Sequence, residues 1–103
     1  MGYKIAEAPL AAQDIAEILE YMIVSLDNPT AAAAFADELE RCYDRLERMP
    51  MMYEACRDVR LRAMGYRKAV VQRYILIYKV SEEEKTVSIL RVFYGRQNYA
   101  ETL

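Results

Sequence analysis

At 103 residues the chain is one domain, 1–103, long enough to bury a single core, and its 54% apolar content excludes a disordered chain. It contains no histidine, which rules out Ser-His-acid and Cys-His catalysis and His-containing zinc sites, and leaves proton transfer to Lys, Arg, Tyr, Asp or Glu. The formal charge of −2 conceals two unlike halves: residues 1–56 carry four basic against eleven acidic side chains, a formal −7, and residues 57–103 carry ten against five, a formal +5. The basic half is the one expected to meet an anionic partner.

In chain order, residues 3–8 alternate as a short strand and end at Pro9, which also suits the first turn of a helix. Ile15, Ile18, Leu19, Met22 and Leu26 then recur at helical spacing, with Gln13, Asp14, Glu17 and Glu20 off that stripe. Asp27-Asn28-Pro29-Thr30 is a turn with capping residues. Phe35, Leu39, Cys42, Leu46 and Met49 continue at helical steps, which predicts a second helix whose outer face pairs Asp37 with Arg41 and Asp44 with Arg48. Cys42 lies on the apolar stripe and reads as a reduced core residue; with Cys56 it makes no Cys-x-x-Cys motif.

Beyond Pro50 the period changes to two. Val59, Leu61 and Ala63 alternate with Arg60, Arg62 and Met64 up to Gly65, residues 66–71 and 73–80 read as strands, and Ser81-Glu82-Glu83-Glu84-Lys85 is a hairpin turn before a last strand over 86–93. The acidic triplet of that turn is a solvated loop and not a metal site. Gly2, Gly65 and Gly95 are too far apart for a phosphate-cradling loop, so no nucleotide cofactor, and no cofactor or metal of any kind, is expected. No run approaches ~18 uncharged apolar residues and the N-terminus lacks a signal-peptide pattern, so a cytoplasmic protein without membrane contact is expected.

Two amphipathic helices between a first strand and three antiparallel strands make an α+β domain, with the helix pair on one face of an antiparallel sheet. The other face is expected to carry Arg and Tyr side chains: Arg60, Arg62, Arg67, Lys68, Arg73, Arg91, Tyr94, Arg96 and Tyr99 are its candidates.

Order and motifs together resemble the RelE/ParE superfamily of toxins from bacterial type II toxin–antitoxin modules. The resemblance spans nearly the whole chain: Asp14, Ile18 and Tyr21, then Asn28-Pro29 and Phe35, Leu46 through Pro50, Gly65-Tyr66-Arg67-Lys68, Tyr74 through Tyr78, and Ile89-Leu90-Arg91-Val92-Phe93-Tyr94-Gly95-Arg96. It implies a β-α-α-β-β-β microdomain, a cognate antitoxin as partner, and one of two targets. RelE-like members cut messenger RNA on the ribosome with a cluster of basic residues; ParE-like members lack that cluster and poison DNA gyrase.

If the chain is a nuclease, Arg67 matches a basic position of that branch in the resemblance, Arg73, Arg91 and Arg96 are candidates to substitute from neighbouring positions, and Tyr94 is a candidate proton donor, which makes these five the catalytic candidates. Ala69, Ile75 and Gln97, however, stand where that branch places further cations. A phenol with an ordinary pKa near 10 is a poor base at neutral pH, so Tyr94 or Tyr99 is better suited to donate a proton than to accept one. Three readings follow: a toxin that binds gyrase, which fits these residues slightly better; a ribosome-dependent endoribonuclease; and an inactive relative that keeps only antitoxin binding. The groove beside the helix pair, with Ile23, Val24 and Leu26 near its end, and the basic half of the chain suit an acidic, apolar antitoxin segment. The sequence leaves a homodimer open.

Overall fold

The computed structural model describes residues 2–95, 100 and 103. Strand β1 (Lys4–Glu7) ends where Pro9 opens α1 (Pro9–Glu20), a position at which the missing proline N–H would have had no helical partner. α1 then widens into a π-helical turn, Tyr21–Ser25, in which the Leu26 N–H donates to the Tyr21 carbonyl at 3.0 Å. Asp27, at φ 48°, reverses the chain, and the Asn28 side chain accepts the Ala31 N–H at 3.0 Å to cap α2 (Pro29–Arg48). Arg45 and Arg48 in the last turn of α2 complement its dipole.

The helical stripes hold with two exceptions. Phe35, Leu39, Cys42 and Leu46 are buried, and Ile15, Ile18 and Leu19 pack against the same core, but Leu26 is 52% exposed and Met49 58% exposed. Each of these two lies just past the end of helical backbone, so the spacing that would have turned it inward no longer applies. On the outer face Arg41 pairs with Glu38, one turn back, in place of the expected Asp37.

The second correction is α3 (Val59–Ala63), a helix where alternation predicted an extended run. Asp58 decides it: its carboxylate accepts the Leu61 N–H at 3.1 Å, a cap that an extended chain has no use for. The helix buries Leu61 and leaves Val59 83% exposed, and Gly65, at φ 81°, ends the turn that follows it.

β2 (Arg67–Val71), β3 (Tyr74–Ser81) and β4 (Thr86–Tyr94) follow, and the sheet order is β1-β4-β3-β2. The α+β fold is as expected, with one refinement: β1 joins β4 in parallel, while the other pairs are antiparallel. Register slips by one residue between β3 and β4, since Ile77 pairs with Arg91 but Tyr78 pairs with Ile89, so Leu90 is an extra residue in a bulge.

The sheet separates two apolar clusters. Under α1 and α2, Phe35, Leu39, Cys42 and Leu46 meet Ala69, Val71, Leu76, Tyr78, Val87, Ile89 and Val92. The opposite face, expected to be left to Arg and Tyr, instead holds a second cluster: Cys56, Leu61, Ile77 and Phe93, with Tyr66, Ile75, Leu90, Ala100 and Leu103 packed on it. α3 carries Leu61 into that cluster, and Arg60 donates to the carbonyls of Ala100 and Leu103. Among the described residues, no helix is long and apolar enough to cross a membrane.

Candidate functional site

A cleft of about 1040 Å³ opens where α1, the π-helical turn, the start of α2, the β2–β3 turn and the end of β4 converge. Three local features shape it. The π-helical turn brings both Tyr21 and Met22 to its wall, the tight turn at Gln72, with φ 57°, presents Arg73, and the pairing of Tyr74 with Tyr94 sets two phenols side by side at the end of the sheet. The Tyr74 and Tyr94 rings meet edge to face with centroids 5.7 Å apart, and Tyr74 makes a second such contact with Phe35 at 5.1 Å.

The electrostatics of the cleft are balanced. Arg91 Nε donates to Asp14 Oδ2 at 2.7 Å and its Nη2 donates to Oδ1 at 3.0 Å, a two-pronged pair with the side chains only 20% and 12% exposed. Asp14 Oδ2 also accepts the Val92 N–H at 2.9 Å. Arg73 is exposed and carries no side-chain hydrogen bond or ion pair among the described residues, and Glu17 faces the same space. Burial pushes the Tyr74 phenol above its ordinary pKa, with Tyr94 and Tyr21 adding to the shift and Arg73 opposing it. That phenol is therefore not available as a base near neutral pH.

Of the catalytic candidates, Arg73, Arg91 and Tyr94 line the cleft. Arg67 does not: it pairs across the sheet with Tyr78, and its Nη1 donates to the Tyr53 carbonyl at 2.6 Å. Arg96, like Gln97 and Tyr99, lies outside the described residues. Ala69 is fully buried in the main core and Ile75 packs in the cluster on the far face, so these two of the three positions where cations were missing are apolar contacts in this fold. Of the other basic candidates, Arg62 Nε donates to the Cys56 carbonyl at 3.1 Å, and Lys68 lies on the face of the second cluster, opposite Ile77.

Sequence reasoning overlooked Tyr21, Tyr74 and Glu17 as cleft residues. It also placed Asp14 off the apolar stripe, which is correct, without seeing that this direction points at β4. The only cue was an acid beside residues that otherwise bury.

The sequence profile of the family described as "ParE toxin of type II toxin-antitoxin system, parDE" matches residues 6–99. No functionally curated protein sequence matches the chain. Among solved structures, the chain is similar to the RelBE2 toxin-antitoxin complex of Mycobacterium tuberculosis, at 24% identity and TM-score 0.65 over 91% of this chain and 99% of that one. It is also similar to the chromosomal ParDE system of P. aeruginosa, at 19% identity and TM-score 0.69 over 89% and 95% of the two chains. A third is the archaeal RelE-RelB complex of Pyrococcus horikoshii, at 16% identity and TM-score 0.62 over 92% and 97%. These structural likenesses establish the fold.

Proposed function

The chain belongs to the ParE toxin family of type II toxin–antitoxin systems, and from that premise we propose that it arrests growth by binding DNA gyrase and that a cognate antitoxin neutralises it. The observation that carries the gyrase reading is the charge balance of the cleft. Cleavage by an internal 2′-hydroxyl passes through a phosphorane with extra negative charge and needs surplus cations beside it. Here Arg73 and Arg91 face Asp14 and Glu17, and Asp14 already engages Arg91 with both oxygens. The cleft phenol Tyr74 is no base either, because partial burial raises its pKa further above neutral pH, and of the cleft carboxylates Asp14 is already engaged by Arg91, which leaves Glu17 alone to accept a proton. A cleft with aromatic walls and balanced charge suits the surface of a folded protein better than a phosphate chain.

The antitoxin reading is supported by the similar solved structures, which are toxin-antitoxin complexes and systems. It is supported as well by Ile23, Val24 and Leu26, which are 48%, 70% and 52% exposed beside the cleft. An antitoxin segment with apolar anchors would cover them.

The test is expression of the toxin in cells with mapping of messenger-RNA 5′ ends, alongside plasmid supercoiling by purified gyrase. Inhibited supercoiling with intact messages is the expected result, reduced tenfold or more in Arg73→Glu. Cuts within translated codons that vanish in Tyr94→Phe would instead establish the ribosome-dependent nuclease, and neither effect would leave an antitoxin-binding relative without activity.

A further inference from the structure

The sheet divides charge as well as apolar side chains. On one side, α1 and α2 carry eight acidic residues against three arginines. On the other, among the described residues, α3 and the strands beneath it gather Arg57, Arg60, Arg62, Lys68 and Lys79 against Glu54 and Asp58. Their placement follows from the fold. Lys68 lies opposite Ile77 in register, hence on the face of the second cluster, and Lys79, two residues beyond Ile77 on β3, shares that face. A methyl group at Gly65, just past α3, would lie 3.9 Å from the Lys79 Cε, so this lysine flanks the helix. Arg57 stands between buried Cys56 and the capping Asp58.

These cations do not serve the fold equally. Arg60 and Arg62 are anchored on carbonyl oxygens. Among the described residues, the side chains of Arg57, Lys68 and Lys79 form no hydrogen bond or ion pair, and Asp58 spends its carboxylate on the α3 cap. A one-sided surface of unpaired cations around a short helix, on a chain whose net charge is negative, is matched by a dense line of negative charge. A duplex phosphate backbone supplies it, at about one charge per 1.7 Å of axis.

We infer that the α3 face binds the phosphodiester backbone of duplex DNA, and that in the gyrase complex it holds the DNA bound to the enzyme while the opposite, acidic side stays clear of it. The identity of that DNA rests on the gyrase reading; the surface itself does not. Contacts to phosphate carry no base specificity, so the surface engages any duplex sequence.

The test is fluorescence anisotropy of the full chain with a labelled 20-base-pair duplex across a salt series, together with gyrase supercoiling. Affinity should fall linearly on a log–log salt plot, and Arg57→Ala/Lys68→Ala/Lys79→Ala should weaken binding about tenfold or more and flatten the slope by roughly 0.9 per released contact. Arg41→Ala/Arg48→Ala, on the acidic side, should leave both unchanged. An unaltered salt slope in the triple variant, an equal loss in the α2 control, or tighter binding to structured RNA than to duplex DNA would overturn the inference. Inhibition of gyrase by a wild-type chain that does not bind duplex would overturn the inference and leave the gyrase reading standing. Duplex binding lost in the triple variant, without any effect of the wild-type chain on gyrase, would uphold the surface and remove the gyrase reading.

Discussion

Asp14 holds Arg91 by two hydrogen bonds, at 2.7 and 3.0 Å, across 77 residues of sequence, and with the same carboxylate accepts the backbone N–H of Val92. The pair completes the sheet where β1 runs out. β1 covers β4 only from Thr86 to Ile89, so the amides beyond would face outward without a strand partner, and the α1 carboxylate takes the place of the missing strand. Asp14→Ala should therefore cost about 2–4 kcal/mol in urea unfolding, because it strands a largely buried guanidinium and a backbone donor together. Arg41→Ala, which breaks the exposed pair with Glu38, should cost less than about 0.5 kcal/mol. Equal losses in the two variants would show that the Asp14 clasp contributes nothing beyond a surface pair.

Gly95 links the end of β4 to the turn that bears Arg73. Its N–H donates to the Arg73 carbonyl at 2.8 Å, and a Cβ in its place would lie 2.8 Å from that same backbone oxygen. Gly95→Ala should cost about 1–3 kcal/mol through this overlap and should displace Arg73 from the cleft. Inhibition of gyrase should drop further in this variant than in Tyr94→Phe, which keeps the ring and its contact with Tyr74. Retention of full inhibition by Gly95→Ala would remove Arg73 from the binding surface.

Ile89 and Ile23 separate core from docking surface. Ile89 is fully buried, so Ile89→Ala should lower stability by about 2–5 kcal/mol. Ile23 is 48% exposed at the end of the helix pair, and Ile23→Ala should change stability by less than about 1 kcal/mol while weakening capture of a cognate antitoxin. Antitoxin affinity unchanged in both Ile23→Ala and Val24→Ala would place the antitoxin elsewhere.

Alkaline pH should destabilise the protein through buried Tyr78 and half-buried Tyr43. The Tyr78 hydroxyl donates to the Pro50 carbonyl at 2.8 Å, and burial pushes its pKa up to about 12. Tyr43, bonded to Glu7 at 2.6 Å, is raised in the same direction by burial and by that carboxylate. Since the folded-state values exceed the unfolded value near 10, this stability is fully present below about pH 10 and is lost as pH climbs toward 12. Urea midpoints at pH 7 and pH 11 should differ accordingly. Tyr78→Phe should reduce the difference while costing about 1 kcal/mol at pH 7, because the Pro50 carbonyl loses its donor.

Local chemistry was sufficient for the helix pair, its Asn28 cap, the β3–β4 hairpin and most of the core. Each depends on residues within a turn or two of one another, and the periods of 3.6 and 2 state which side chains bury. The same local order carried the family resemblance and the uneven charge of the two halves. Tertiary structure decided the rest. The Asp58 cap of α3 is as local as that of Asn28, but that α3 then delivers Leu61 to Cys56, Ile77 and Phe93, and so covers a sheet face that alternation alone had left to Arg and Tyr, is a long-range outcome. The extra residue at Leu90 shifts the alternation of β4, so that Ile89 and Val92 both face the helices. The candidate arginines were visible as residue types, but whether each is free depends on partners far away in sequence: Asp14 for Arg91, the Tyr53 carbonyl for Arg67, and none among the described residues for Arg73. A charge acts through what lies within a few ångströms of it, and in this chain only folding brings those neighbours together.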